Sequence, residues 1–236
     1  MKLSKRLETI ASFVPEGSTV ADIGTDHGYI PIYLVQENKV KHAIAMDVRK
    51  GPLFRAQTHI KEAGLEDRIE VRLSDGLLKL EKGEADCVVI AGMGGELMIH
   101  ILEEGRHLWD SISSWVLSPQ SDVYKVRKFL HQESFFMEQE CMMKEDGKYY
   151  LVMRVGRIEK KEEKELPDFH YRYGVHLLKN GDPLLTEYLE KEKEQIERIL
   201  KDLHSGNTES AKQRIIELNM ELEWIREAQD AMQRTH

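Results

Sequence analysis

The sequence predicts an α/β protein in which a doubly wound parallel sheet is followed by a C-terminal antiparallel coiled-coil hairpin. Two observations lead to this fold class. Short apolar segments alternate with amphipathic segments through residues 1–157, which is typical of strands and helices that alternate in a parallel sheet. Long charged segments with heptad-like apolar spacing occupy residues 158–236, which is typical of paired helices. We therefore predict two domains, 1–157 and 158–236.

Five strands of the first domain are predicted from short apolar runs that end before polar or glycine-bearing loops. The fourth is apolar almost throughout, as a strand covered on both faces of a sheet requires. Two further runs flank Glu145-Asp146-Gly147 and predict a closing β-hairpin. The predicted strands are 19–23, 42–47, 69–73, 85–91 and 114–117, with 135–143 and 149–155 in the hairpin.

The helices of the first domain are predicted from apolar residues at helical spacing between the strands. Pro52 lies in the first turn of one of them and Gly64 lies just past its end, positions that these residues favour. The predicted helices are 3–14, a segment through 33–35, 52–63, 96–102 and 123–131.

The second domain begins with a charge run, 158–165, which is interpreted as a surface linker. Asp182 and Pro183 then predict a helix start, a turn is predicted at 205–208, and Glu192 interrupts the first apolar seam. The two seams consist of Leu185, Leu189, Ile196, Leu200 and Leu203, and of Ile215, Leu218, Leu222, Ile225, Gln229 and Met232.

Composition excludes several classes of protein. The 236 residues include 34 Lys and Arg against 42 Asp and Glu, and the net charge of −8 excludes a uniformly basic nucleic-acid binder. The two cysteines, Cys87 and Cys141, exclude a disulfide scaffold and a cysteine-rich zinc site, so no metal is expected. No apolar run approaches 18 residues, so we predict no membrane span and a cytoplasmic location.

The most informative motif is Asp22-x-Gly24-x-Asp26-x-Gly28, between the first strand and the next helix. Glycines at such a turn let the backbone approach a ligand at the carboxyl edge of the sheet. The motif differs from the G-x-G-x-x-G dinucleotide pattern, and Asp26 would repel a pyrophosphate. A nicotinamide dehydrogenase is therefore disfavoured, and a ligand with an ammonium group suits two carboxylates better. A glycine turn required only for packing is the alternative.

Two further acids follow the next strands. Asp47 ends the second strand, where an acid can accept hydrogen bonds from both hydroxyls of a ribose. Asp75-Gly76 follows the third strand, where an acid can accept from an adenine amino group, although an isolated Asp-Gly is often just a turn. Acids at three successive strand ends indicate a site for an ammonium, a ribose and a purine, which together describe S-adenosylmethionine.

The order of these motifs resembles the class I methyltransferase fold, a Rossmann-like sheet. Within it, the chain resembles the bacterial tRNA adenine-22 N1-methyltransferases. The resemblance extends over essentially the whole chain, and it rests on the glycine-bearing loop, the C-terminal helical pair and the segments Leu3-Ser-Lys-Arg-Leu7 and Ala91-Gly-Met-Gly-Gly95. It implies methylation of N1 of adenine 22 in tRNA by S-adenosylmethionine, with 1–157 as the catalytic domain.

The resemblance also implies roles for the matching residues. The methionine moiety would lie against Asp22, Gly24, Asp26, His27 and Gly28. The ribose would bind Asp47, the adenine would bind Asp75 and Gly76, and the wall between cofactor and target base would consist of Gly92, Met93, Gly94 and Gly95. Many amino-group methyltransferases have Asn/Asp-Pro-Pro-aromatic at this last position. The somewhat similar Ser118-Pro119-Gln120 comes one strand later and is interpreted as a strand-end turn.

Methyl transfer to N1 requires mainly alignment and exclusion of water. Asp26 is the candidate for stabilising the charge that develops on the base, and His27 is interpreted as a pocket hydrogen-bonding residue in preference to a general base. Tyr29 is a candidate for stacking on a flipped adenine, with a core position as the alternative. A basic rim for tRNA phosphates is predicted from Lys2, Lys5, Arg6, Arg49, Lys50, Arg55, Lys125, Arg127 and Lys128.

Two other functions remain open at this stage. One is methylation of another RNA or of a small molecule by the same cofactor. The other is a non-catalytic S-adenosylmethionine-binding scaffold whose coiled coil recruits partners. The oligomeric state is not predicted.

Overall fold

The computed structural model describes residues 2–157, 165–203 and 208–234, and it divides into two compact units, Met1–Glu162 and Glu163–His236. Residues 158–164 of the predicted linker lie outside the described residues, as do residues 205–207 of the predicted turn. No helix in the described ranges is long and apolar enough to cross a membrane.

The first unit is built on one seven-stranded sheet. Its strands are β1 Thr19–Ile23, β2 His42–Asp47, β3 Ile69–Leu73, β4 Cys87–Ala91, β5 Ser114–Ser118, β6 Phe135–Glu145 and β7 Lys148–Arg157. Their order across the sheet is β3-β2-β1-β4-β5-β7-β6. Strands β1 to β5 are parallel, whereas β7 runs antiparallel to both β5 and β6. The predicted doubly wound sheet and its closing hairpin are confirmed.

Helices connect the parallel strands. They are α1 Lys5–Ser12, α2 Tyr29–Gln36, α3 Lys50–Glu62, α4 Gly95–Glu104 and α5 Val123–Gln132, and a short 3-10 helix, Gly105–Leu108, was not predicted. Helix α1 begins two residues later than predicted because the Ser4 side chain accepts a hydrogen bond from the Leu7 N–H at 3.3 Å and caps it. Helix α3 begins at Lys50, so Pro52 does lie in its first turn.

The switch point of the sheet lies between β1 and β4. Ile23, the last residue of β1, is in register with Met46 of β2 on one side and with Ile90 of β4 on the other. Strand order reverses here, and the loops that leave the two carboxyl ends diverge and open a crevice. Val89 and Ile90 in the centre of the sheet are completely buried, as expected of a sheet covered on both faces.

Arg127 was predicted to belong to the basic rim, and the structure shows that this prediction is wrong. Its side chain is only 6 % exposed, and its guanidinium forms an ion pair with the completely buried carboxylate of Glu140 at 2.7 Å, joining α5 to β6. The sequence places Arg127 beside two other basic residues, but the helix turns this one into the core. Arg127 therefore stabilises the fold and is not available to a phosphate.

The second unit is helical: α6 Asp168–Tyr173, α7 Val175–Lys179, α8 Pro183–Leu203 and α9 Glu209–Gln233. The first two of these helices were not predicted. The predicted cap of α8 is confirmed, because the Asp182 carboxylate accepts from the N–H groups of Leu184 and Leu185 at 2.8 and 3.1 Å. Helices α8 and α9 pack together with five leucines buried, Leu185, Leu189, Leu200, Leu218 and Leu222, whereas Leu203 of the predicted seam is only partly buried. In α9, Ala228 and not the predicted Gln229 is fully buried. Coiled-coil supercoiling of this pair stays a prediction.

Glu192, which interrupts the apolar seam of α8, is the acceptor of a polar cluster. Its carboxylate accepts from Arg172 and from the hydroxyl of Tyr173, both at 2.8 Å, and from the hydroxyl of Tyr188 at 3.2 Å. Burial, reinforced by the negative charge of Glu192, raises the pKa of Tyr188 to about 12. Where Glu192 interrupts the apolar seam, its carboxylate is therefore hydrogen-bonded within a polar network that joins α6 to α8.

Candidate functional site

The loop after β1 is shaped by its two glycines. Gly24 and Gly28 have φ values of +78° and +70°, a left-handed backbone that strains other residues. The N–H groups of Gly24 and Thr25 donate to the Met46 carbonyl at 2.8 and 2.9 Å, which ties the loop to the end of β2. The motif therefore turns the chain sharply into α2 and lets Met93 and α3 approach its two glycines closely.

Asp22 and Asp26 of this motif lie in different environments. Asp22 is buried at the end of β1, and burial raises the pKa of its carboxyl to about 6. Asp26 is 57 % exposed, and its carboxylate forms an ion pair with Arg55 of α3. The hydrogen bond from Arg55 holds the pKa of Asp26 below its usual value. Among the described residues Asp22 thus has no cationic partner, whereas the charge of Asp26 is already neutralised by Arg55.

Asp47 and the loop after β3 form the next part of the site. Asp47 is 6 % exposed, and one of its carboxylate oxygens accepts from the Arg49 N–H at 2.7 Å, which fixes the side chain. The Ser74 N–H donates to the Asp47 carbonyl at 3.0 Å, so the ends of β2 and β3 are joined. Ser74 also donates from its hydroxyl to the Gly76 carbonyl at 3.1 Å, which holds the Asp75-Gly76 turn and leaves Asp75 exposed.

The loops after β4 and β5 are joined backbone to backbone. Gly92 donates to the Ser118 carbonyl at 3.1 Å, and Gln120 donates to the Met93 carbonyl at 2.8 Å. The Met93 methyl group lies directly against Gly24, so this loop reaches the glycine motif. The segment interpreted as a strand-end turn is therefore part of the site, because β4 and β5 are neighbours in the sheet.

The glycines at 94 and 95 have a packing role. A Cβ on Gly94 would lie 3.2 Å from the Ser121 hydroxyl, and one on Gly95 would lie 2.6 Å from the Ser121 carbonyl oxygen and 2.9 Å from Val126. Larger residues at Gly95 would push α4 away from α5. This close approach is a packing reason for glycine at both positions.

One cavity of about 620 Å³ is lined by most of the predicted site residues. It brings together Asp22, Gly24, Asp26, His27, Gly28, Asp47, Asp75, Gly76, Gly92 and Met93. Gly94 and Gly95 do not line it. Its apolar wall includes Val48, Leu97 and Ile101, which were not predicted as site residues. No cluster of three or more His, Cys, Asp or Glu side chains able to hold a metal occurs in the described ranges.

Arg6 lines the cavity, which the sequence did not indicate. It was assigned to a phosphate rim, yet α1 places it against the cavity, with its guanidinium 5.3 Å from the centre of the Tyr150 ring. Its Nη1 atom is buried without a hydrogen-bond partner among the described residues. Nothing in the sequence signalled this position, because it depends on α1 lying near β7.

Three aromatic rings, those of His27, Tyr29 and His59, are stacked beside the glycine loop. His27 and Tyr29 are stacked with ring centres 5.0 Å apart, and His59 of α3 lies 5.5 and 5.4 Å from them. The Nδ1 atom of His59 is 2.9 Å from the His27 carbonyl oxygen. Tyr29 is partly exposed, at 36 %, and therefore is not a core residue.

The remaining basic residues of the predicted rim differ in whether their charges are available to a phosphate. Lys2, Lys5, Arg49 and Lys50 are exposed, and the Arg49 guanidinium also lies 3.8 Å from the Asp47 carboxylate. Arg55 is held by Asp26, and Lys125 is paired with Glu96 and Asp122. The Lys128 ammonium lies over the Tyr124 ring, 5.7 Å from its centre.

The sequence profile of a family described as "Methyltransferase domain" matches residues 3–153. A relative from Bacillus subtilis, named tRNA (adenine(22)-N(1))-methyltransferase, is 34% identical over 98% of this chain and 98% of its own length. This chain belongs to that methyltransferase family. S-adenosylmethionine is the cofactor of the family, and the acids at the ends of β1, β2 and β3 suit its ammonium, ribose and adenine groups.

Solved structures agree with this membership. The crystal structure of the B. subtilis m1A22 tRNA methyltransferase has a TM-score of 0.86 and 34% identity, covering 96% of this chain and 98% of that one. A putative tRNA (m1A22) methyltransferase from Streptococcus pneumoniae, in complex with S-adenosyl-L-methionine, has a TM-score of 0.84 and 32% identity, covering 96% and 99%. The Rossmann-like methyltransferase fold predicted from the sequence is confirmed.

Proposed function

We propose that this protein transfers a methyl group from S-adenosylmethionine to N1 of adenine 22 in tRNA, in the cytoplasm. The observation that carries the proposal is the cavity at the carboxyl edge of the sheet, which joins acids from three strand ends to the loops after β4 and β5. The chain matches a relative named for this reaction over 98% of its length.

Each polar group of the cofactor has a complementary residue. Asp47 would accept from the two ribose hydroxyls and Asp75 from the adenine amino group. Asp22 would take the ammonium, which would return the pKa of this buried acid toward its usual value. Arg6 would bind the methionine carboxylate, because its buried Nη1 has no partner among the described residues.

For Asp26 we propose a different role from the one predicted. Its carboxylate is engaged by Arg55 and lies 3.4 Å from the Nε2 of His27, so it is neither unpaired nor buried. We assign Asp26 to positioning the glycine loop against α3, with Asp22 as the acid that faces the ammonium. This assignment replaces Asp26 as the candidate for charge stabilisation.

The reaction needs alignment more than acid–base chemistry. The sulfonium supplies an electrophilic methyl group; its S–CH₃ bond breaks as the lone pair of adenine N1 forms the new N–CH₃ bond. No proton moves in this step, and the positive charge passes from sulfur to the base. The protein's contribution is to hold the two ligands in line and to exclude water. Met93, packed on Gly24, narrows the cavity where the two ligands would meet.

Binding of tRNA to an acidic protein requires local positive charge. Lys2, Lys5, Arg49 and Lys50 are the exposed members of the predicted rim and would contact phosphates near the cavity. Tyr29 presents a partly exposed ring that suits stacking on an extruded base.

The test is transfer of labelled methyl from S-adenosylmethionine to unmodified tRNA. A tRNA that carries guanine at position 22 is the matched control. We expect label only in the adenine-22 tRNA, recovered as 1-methyladenosine. Label in both tRNAs, in another RNA only or in a small molecule would contradict the proposal, and so would cofactor binding without transfer to any of them.

A further inference from the structure

Gln120 presents an exposed amide at the wall of the cavity beside the Gly92-Met93 loop. Its Nε2 lies 3.7 Å from the point that a Cβ on Gly92 would occupy. Its backbone is fixed, because its N–H donates to the Met93 carbonyl at 2.8 Å. A rigid backbone with an exposed amide at its tip is preorganised to contact a ligand.

We propose that Gln120 is a specificity-determining residue that binds the Hoogsteen edge of the target adenine. This inference rests on the proposed function, in which an adenine enters the cavity next to the methyl donor. The Gly92-Met93 loop contacts the glycine motif, the proposed cofactor site, through the Met93 methyl group, and it has Gln120 beside Gly92. The target base would therefore lie on the Gln120 side of this loop.

The chemistry of the two groups is complementary. A glutamine amide offers an acceptor and a donor side by side, and adenine presents its N6 amino donor beside the N7 acceptor. Oε1 would accept from N6 while Nε2 donates to N7. This arrangement leaves the N1 lone pair free to attack the methyl group, whereas a contact on the Watson–Crick edge would occupy it.

The same contact rejects guanine. Guanine carries two acceptors, O6 and N7, along this edge, so Oε1 of Gln120 would face O6 without a hydrogen atom between them. A neutral amide is also better suited than a cation to contact the reacting ring, because N1 methylation makes that ring positively charged. Arg6, whose Nη1 is 3.6 Å from the same point at Gly92, is therefore assigned to the cofactor carboxylate and not to the base.

The experiment combines a protein change with a change of one atom in the base. Methyl-transfer kcat/KM is measured for wild type and Gln120→Ala with normal tRNA and with tRNA carrying 7-deazaadenosine at position 22, which lacks N7 but keeps N1 and N6. We expect each single change to lower kcat/KM about 10- to 100-fold. Their combination should be little worse than either alone, and cofactor affinity should change less than about twofold.

Several results would overturn the proposal. They are full activity of Gln120→Ala, full activity of wild type on the 7-deaza tRNA, or losses that multiply in the combination. Gln132→Ala, an exposed glutamine at the end of α5 outside the cavity, is the matched control and should behave as wild type. If Gln120→Ala unfolds, the 7-deaza tRNA with wild type still tests the contact. Failure of the proposed function is separate, because wild type would then not methylate normal tRNA.

Discussion

The guanidinium of Arg55 on α3 forms an ion pair with the carboxylate of Asp26 in the loop after β1, 29 residues earlier in the chain. The sequence motif places Asp26 among the cofactor ligands, whereas the ion pair directs it toward α3. Asp22, in the same motif, remains buried and has a raised pKa. Two acids four residues apart thus lie in different environments, and we propose that Asp26 fixes the loop while Asp22 faces the ligand.

Removal of the Arg55–Asp26 pair should affect cofactor binding through the position of the loop. We expect Arg55→Ala and Asp26→Ala each to weaken S-adenosylmethionine binding severalfold, with little further loss in the double variant, because both break one interaction. Both partners are about half exposed, so the free energy of unfolding should fall by less than about 1 kcal/mol. Calorimetric titration measures the affinity, with Lys61→Ala on the same helix as control. Losses that add would show separate roles for the two residues.

Asp47→Ala should lower cofactor affinity strongly. Hydrogen bonds to a charged acceptor contribute about 1.5–3 kcal/mol each, so loss of the ribose contacts should raise Kd at least about 10-fold. Asp47→Asn keeps one acceptor oxygen and should lose less. The same titration measures Kd, and the melting temperature checks that the Arg49 N–H contact is not needed for folding. Asp67→Ala, at an exposed site outside the cavity, is the control. Equal cofactor affinities for the Asp47 variants and wild type would show that Asp47 does not bind the ribose.

Asp22 should make unliganded stability depend on pH. Its folded pKa of about 6 is above the ordinary 3.8, so the folded state binds the proton more tightly than the unfolded state. Protonation of Asp22 therefore adds at most about 3 kcal/mol to the free energy of unfolding. This stabilisation is complete below about pH 4 and is lost as pH rises through 6. Denaturant unfolding at pH 4 and pH 7 should therefore show Asp22→Asn gaining stability relative to wild type at the higher pH. A constant difference between the two proteins would contradict the raised pKa.

The same ionisation should control cofactor binding. The ionised Asp22 attracts the ammonium, so affinity should rise as pH increases from 5 to 7 and should level off above that. Asp22→Asn should bind weakly and lose this rise. Titration of both proteins across this range measures the effect, and parallel pH profiles would exclude Asp22 as the ammonium partner.

The buried Arg127–Glu140 pair should be costly to break from one side. Arg127→Met leaves the carboxylate of Glu140 buried without its cation, and we expect a loss of about 3–5 kcal/mol in unfolding free energy. Replacing both residues by apolar ones should recover most of that loss. Denaturant unfolding measures the stability of both variants. An Arg127→Met protein that is as stable as wild type but binds tRNA more weakly would show instead that Arg127 contacts phosphate.

The sequence by itself determined the order of strands and helices, the fold class and the residues around most of the cavity. These depend on local properties: apolar periodicity, glycine at left-handed turns and acids at strand ends, which parallel pairing brings to one edge. The α8 cap at Asp182 is equally local and was predicted. Helices α6 and α7 were not, because they are too short for periodicity to indicate them.

Only the tertiary structure decided which way individual side chains face and which distant loops meet. Arg6 lines the cavity because α1 lies near β7, and Arg127 is buried because α5 packs on β6. Gln120 joins the site because β5 pairs with β4, although the sequence separates their loops by a helix. These contacts join residues far apart in the chain, and their energy comes from burial and pairing that no local pattern encodes.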